Sequence, residues 1–194
     1  MEWEPNMPDN SHQEFLQFYK PVHSRFVKFC SSMAYGRMET QDLVQETVLV
    51  VMQKWDRIQK KESLLAFMVG TAGRILQNQG RKSRRETGLD TEKESLRKLE
   101  AQTQDPALAF DIHLLYEALN QLGEKERECL ILFEISGFSV REVAEIQNES
   151  DTAIKSRLSR GRQKLKALLE DEPIVSTNSA TRSSAALFSI LSIL

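Results

Sequence analysis

Cysteine is scarce in this sequence, and the two that occur, Cys30 and Cys129, both fall inside apolar helical patterns. Two lone thiols make no disulfide framework and fit a reducing compartment. The N-terminus, Met1-Glu-Trp-Glu-Pro, lacks a basic stretch leading into an apolar run, so no secretory leader is expected. No apolar segment reaches the roughly 20 residues that span a bilayer, so no stable membrane insertion is expected either. These absences together predict a soluble, cytoplasmic protein. Histidine is equally sparse: His12, His23 and His113 are scattered, with no Cys or His at metal-ligand spacing. A glycine-rich phosphate loop and a Gly-x-Ser-x-Gly elbow are missing, and the carboxylates fall on solvated faces or helix caps. The expectation is therefore no metal, no cofactor and no enzyme. An excess of one charge is lacking too, with a formal net charge of −2 and a pI near 6.0. Any nucleic-acid binding must then rest on local clusters of Lys and Arg.

What is present is a chain of 194 residues, 40% hydrophobic and 28% charged, the composition of a globular protein. Its periodicity is helical nearly throughout. A first helix is predicted from Ser11 to about Met33, with Phe18, Val22, Phe26, Phe29 and Met33 on one stripe and Pro21 bending its early part. Thr40 is a candidate N-cap for a second helix ending near Trp55, whose inner stripe would be Val44, Val48, Val51 and Trp55. A third should begin at Ser63 and pass Arg81, burying Leu64, Met68, Ala72, Ile75 and Leu76. Its Gly70, Gly73 and Gly80 weaken intrinsic helicity, so neighbours must support it.

Between about Arg85 and Gln104 the pattern gives way to polar residues of mixed charge, as in a connector. Asp105-Pro106 reads as an N-cap followed by proline at the first helical position. Leu108, Ile112, Leu115, Leu119 and Leu122 mark the next helix, and another follows from Glu124 to Ser136. Ser139-Val-Arg-Glu142 is a capping box. It opens a short helix carrying Val143, Ala144 and Ile146, followed by the turn Asn148-Glu149-Ser150 and a last helix from Asp151 to about Leu169. The predicted fold is all-α, with two small helical domains at residues 11–85 and 105–170, a flexible linker at 86–104, and a Ser/Thr-rich tail with an apolar end at 171–194. The tail is expected to fold back on a domain surface; docking on a partner is the sharper alternative.

The stretch from Glu142 to Lys164 has the proportions of a helix-turn-helix. Lys155, Arg157, Arg160, Arg162, Lys164 and Lys166 place positive charge on its second helix. Such residues pair with phosphates, and Arg reads guanine edges in the major groove. A solvated helix face favoured by the macrodipole would carry the same charges. The capped entry, polar turn and one-sided charge decide for DNA. A second cluster, Arg74, Arg81, Lys82, Arg84 and Arg85, ends the third helix, near the basic loop Asp56-Arg-Ile-Gln-Lys-Lys61 and the rings of Trp55 and Phe67. Rings beside cations suit single-stranded DNA, although Trp55 lies on the apolar stripe and belongs with the core.

These residues resemble the extracytoplasmic-function (ECF) sigma factors in two well-separated places. Thr40-Gln-Asp-Leu-Val-Gln-Glu46 and Leu65-Ala-Phe-Met-Val-Gly-Thr-Ala-Gly-Arg74 are similar to conserved region two of that family. Leu119-Asn-Gln-Leu-Gly-Glu-Lys-Glu-Arg127, Val143-Ala-Glu-Ile146 and Ala153-Ile-Lys-Ser-Arg-Leu-Ser-Arg160 are similar to region four. The similarity runs from about Phe15 to Leu169. It implies a protein that binds core RNA polymerase and directs promoter-specific initiation. Region two would grip the clamp helices of the largest polymerase subunit through Asp42, Gln45, Glu46 and Leu49. The two acids also favour the helix N-terminus, which explains their charge but not Gln45. Region two would capture the melted minus-ten element through Arg57, Lys60 and Lys61 of the loop before the third helix and Arg74, Asn78, Arg81 and Lys82 of the helix itself. Region four would read the minus-thirty-five duplex through Ala153, Lys155, Ser156, Arg157, Arg160 and Lys164. Further partners implied are the flap of the second polymerase subunit, promoter DNA and an anti-sigma factor.

Several positions depart from the family pattern. Phe67 stands where a Trp is usual, Arg74 for Asn and Asn78 for Asp. Gly123 replaces a proline, Asn148 a glycine, and Glu149 an apolar residue. Two competing readings are a free-standing helix-turn-helix regulator, which would bind duplex DNA alone, and an interaction protein whose basic faces are incidental.

Overall fold

The computed structural model describes residues 9–83 and 106–171. The expected linker, Asp105 and the tail beyond Asp171 lie outside the described residues. Eight α-helices are described: α1 (Asp9–Tyr19), α2 (His23–Ala34), α3 (Thr40–Gln53), α4 (Leu64–Ser83), α5 (Pro106–Asn120), α6 (Glu124–Leu130), α7 (Val140–Gln147) and α8 (Asp151–Asp171). Strands are absent among the described residues.

The single helix predicted over Ser11–Met33 is in fact two. Pro21 has no N–H to donate and crowds the preceding turn, so the chain breaks after Tyr19 and restarts at His23. Thr40 is the first residue of α3, and its N-cap is Glu39 in an extended conformation. The buried stripe of α3 is Leu43, Thr47 and Val51, continued by Trp55 in the following 3-10 turn. Val44 and Val48 are only half-buried, so the inner face is turned one residue from the one predicted. Thr47 is tolerated inside because its hydroxyl donates to the Leu43 carbonyl at 2.7 Å. α4 lies along α3 and buries Leu64, Leu65, Met68, Val69, Ala72, Ile75 and Leu76.

In the second half, α6 continues into one π-helical turn, Ile131–Ile135, before the chain reverses at Gly137. The capping box at α7 is complete: the Glu142 N–H bonds Ser139 Oγ, and the Ser139 N–H bonds Glu142 Oε2. Asn148 ends α7 in the left-handed region, at φ 53°, which Asn tolerates better than most residues. The turn then delivers α8 against α6. Their approach is close at Gly161, where a Cβ would stand 3.1 Å from Leu130 Cδ1.

Both halves contribute to one continuous apolar core. α2 packs on the π-helical turn and α4 on α7. Polar groups cross the same boundary. Arg25 bonds Glu142 at 3.0 Å and the Gly137 carbonyl at 3.2 Å, with its guanidinium over the Phe138 ring. Ser32 and Tyr116 share a hydrogen bond, as do Tyr35 and His113. Arg127, 2% exposed, donates to the Ser32 and Met33 carbonyls near the end of α2.

Candidate nucleic-acid interface

Asp42, Gln45, Glu46 and Leu49 all lie exposed on α3, opposite Leu43, Thr47 and Val51. Spacings of three and four residues place them on one face. Leu49, 42% exposed, is one of three large apolar side chains left in solvent among the described residues. The arrangement is an acidic rim beside a small apolar contact, which suits docking on a protein helix better than binding DNA.

Beyond α3 the chain makes two 3-10 turns and encloses an open cleft of about 550 Å³. Lys54, Arg57, Lys60, Ser63, Ile58 and Phe67 line it. Cations and a half-buried ring therefore meet in one concavity, as stacking of an unpaired base requires. Trp55 is not part of it. Fully buried, it packs edge-on against Phe15 and gives its indole N–H to Glu14. Lys61 is engaged elsewhere: its ammonium bonds Glu14 at 2.6 Å and sits 4.8 Å from the centre of the Trp55 ring. The Lys61 and Trp55 hydrogen bonds hold the Glu14 carboxyl below its usual range. Arg74 and Asn78 are exposed one turn apart on α4. Arg81 and Lys82 follow on the same helix, with side chains outside the described residues.

On α8 the inner face is Ile154, Leu158, Gly161 and Leu165. Lys155, Ser156 and Arg160 are exposed on the opposite side, together with Ser159, which sequence reasoning passed over. Its spacing of three from Ser156 and four from Lys155 was the available signal. Ala153 is half-buried at the start of the helix, where its N–H bonds Ser150 Oγ. Lys164 pairs with Glu126, Arg162 with Glu134, and Lys166 with Glu170. Of the six cations, only Lys155 and Arg160 make no ion pair among the described residues. Arg157 differs most from the expectation that it faces DNA. Only 12% of its side chain is exposed, and its guanidinium bonds Gln147 Oε1 and Glu149 Oε1. That bond and the Arg157 charge lower the Glu149 carboxyl, while burial raises that of Glu128.

Cys30 and Cys129 are free and buried, and burial pushes both thiols up, Cys129 to about 11, so neither is poised to react. No group of His, Cys, Asp and Glu that would hold a metal occurs among the described residues, and no helix there is long and apolar enough to cross a membrane.

Comparison with known proteins agrees with this geometry. The family model "Sigma-70 region 2" matches residues 18–86 and "Sigma-70, region 4" matches residues 112–165. The ECF RNA polymerase sigma factor EcfG of Rhodopseudomonas palustris is 34% identical over 145 residues, which cover 73% of this chain and 77% of that protein. The RNA polymerase sigma factor CarQ of Myxococcus xanthus is 24% identical over 83% of this chain and 92% of its own length. Among solved structures, the sigma factor RpoE of Bartonella quintana, in complex with the anti-sigma factor NepR, superposes with a TM-score of 0.60 and 26% identity. That match covers 82% of this chain and 99% of RpoE. CnrH, in complex with the cytosolic domain of CnrY, has the same fold, with a TM-score of 0.57 and 22% identity over 83% of this chain and 91% of its own. A paired match to regions two and four, on an all-helical fold shared with these relatives, leaves one assignment: the chain belongs to the ECF family of RNA polymerase sigma factors, the proteins that direct transcription initiation.

Proposed function

We propose that this chain works in the cytoplasm as the promoter-recognition subunit of RNA polymerase, with its surfaces divided between protein and DNA. Asp42, Gln45, Glu46 and Leu49 dock on the clamp helices of the largest subunit. The cleft beside Arg57, Lys60 and Phe67 receives a base of the melted minus-ten strand, and Arg74, Asn78, Arg81 and Lys82 follow its backbone. Unstacking that base costs a few kcal/mol, which the cleft offsets by ring stacking and charge. Lys155, Ser156, Arg160 and Lys164 meet the minus-thirty-five duplex, with Ala153 at the helix entry. Region four sits near the flap of the second subunit. An anti-sigma factor is a partner class in keeping with the complex of RpoE, which is 26% identical.

The observation that carries this reading is the coexistence, in one chain, of an exposed acidic–apolar face on α3 and an exposed cationic stripe on α8. A free-standing regulator has no use for the first. The test is in vitro transcription from a promoter library, with purified core polymerase in the presence and absence of the chain. Initiation that depends on the chain is the expected result. Failure of initiation, with tight binding of the free chain to duplex DNA, would replace this reading with that of a regulator.

A further inference from the structure

Gln147 and Glu149 flank the left-handed Asn148 at the turn of the helix-turn-helix, and both are tied to Arg157. Gln147 Nε2 donates to the Lys125 carbonyl at 3.2 Å and to Glu128 Oε2 at 2.8 Å, which anchors the turn to α6. Glu149 accepts from Arg157 Nη2 at 2.9 Å, with Lys125 Nζ 3.9 Å away. Its own N–H bonds the Ala144 carbonyl at 2.9 Å, so its backbone is fixed by the end of α7. Arg157 therefore reaches back along α8, as helical side chains do, and clasps a polar network built on α6, α7 and the turn. The exposed stripe Lys155, Ser156, Ser159 and Arg160 occupies the adjoining face of the same two helical turns.

We infer that Glu149 and Arg157 are positioning residues for promoter recognition: their ion pair sets the angle at which α8 presents its exposed stripe to the minus-thirty-five element, and it withholds the Arg157 charge from phosphate. This inference rests on the reading of α8 as the recognition helix. Two consequences separate it from a plain folding role. Removing Glu149 frees a cation beside the DNA face, so phosphate contacts increase while sequence discrimination falls. Removing Arg157 also lowers discrimination but adds no phosphate contact.

The experiment uses holoenzyme assembled from core polymerase and the full chain, on the promoter selected by the transcription assay. Dissociation constants are measured across a salt series for that promoter and for single-base changes in its upstream element. For Glu149→Ala, discrimination, ordinarily about tenfold per changed base, should shrink towards unity. The slope of log affinity against log salt should steepen by about 0.9, one phosphate contact. Arg157→Ala should lose discrimination at unchanged slope, and the double variant should match Arg157→Ala. Glu149→Asp, which keeps a carboxylate for Arg157, should restore discrimination; Glu149→Gln serves as the second variant if Glu149→Ala does not fold. An Arg157→Ala variant that flattens the slope and loses one base position alone would make Arg157 a direct reader and overturn the inference. Unchanged discrimination and slope in Glu149→Ala would do the same. Arg160→Ala separates the two levels: a promoter defect there with none in Glu149→Ala removes only the positioning role, whereas no defect in either removes the recognition-helix reading.

Discussion

Glu142 carries two duties on a single carboxylate. Its Oε2 closes the α7 capping box with Ser139, and its Oε1 accepts the hydrogen bond of Arg25 from the other half of the molecule. Partial burial alone would raise this carboxyl; the Arg25 bond, the Ser139 N–H and hydroxyl, and the Arg25 charge outweigh it and bring it down to about 2. An unfolded Glu titrates near 4.3. Because the folded value is the lower one, the stabilisation is complete above that pH and is lost as pH falls towards about 2. Urea unfolding should thus show a steeper loss of stability between pH 5 and pH 2.5 in the wild type than in Glu142→Gln. Equal slopes would remove Glu142 as the source. Half of this was readable from sequence. Ser139-Val-Arg-Glu142 announces its own cap, because capping is local. Arg25 lies 117 positions away, and nothing in its neighbourhood marks it for that contact.

Among the elements, α3 and the α7–α8 turn show what periodicity reveals and what it hides. The outer face of α3 was legible because Asp42, Gln45 and Glu46 are charged or polar at helical spacing. Its inner face was displaced by one position because Thr47 reads as a surface residue, and only its bond to the Leu43 carbonyl lets it go inside. The exposed face makes few demands on the fold, so Asp42→Lys with Glu46→Lys should abolish association with core polymerase while leaving helical circular dichroism unchanged. Retained association would contradict the docking role. Asn148 was legible as a glycine substitute, and its φ of 53° follows. Asn148→Gly should leave stability nearly unchanged, whereas Asn148→Val should lower it by about 1–2 kcal/mol in chemical unfolding, the cost of a left-handed β-branched residue.

Across the whole molecule, sequence patterning separates two helical units but says nothing of their apposition, since each stripe points simply to burial and not to a partner. The contact combines a paired cation and a nearly unpaired one. Arg25 has Glu142, whereas buried Arg127 has two carbonyls for Nη2 and, among the described residues, no partner for Nε or Nη1. Burial opposes the charge of Arg127 and depresses its pKa. Arg127→Met would remove that buried charge but also take the donor from the Ser32 and Met33 carbonyls, at about 1–3 kcal/mol for a buried group left unpaired. Arg25→Ala would break an ion pair, a carbonyl bond and a ring contact at once. Small-angle scattering should accordingly show Arg25→Ala more extended than the wild type, and more so than Arg127→Met. The reverse order would assign the hold to Arg127. Parting the halves exposes the Arg127 guanidinium together with the apolar surface around it, so separation is accompanied by hydration. Solutes excluded from protein surfaces, such as sucrose, oppose that uptake. The fraction of chains with the two halves apart should then fall as sucrose is added.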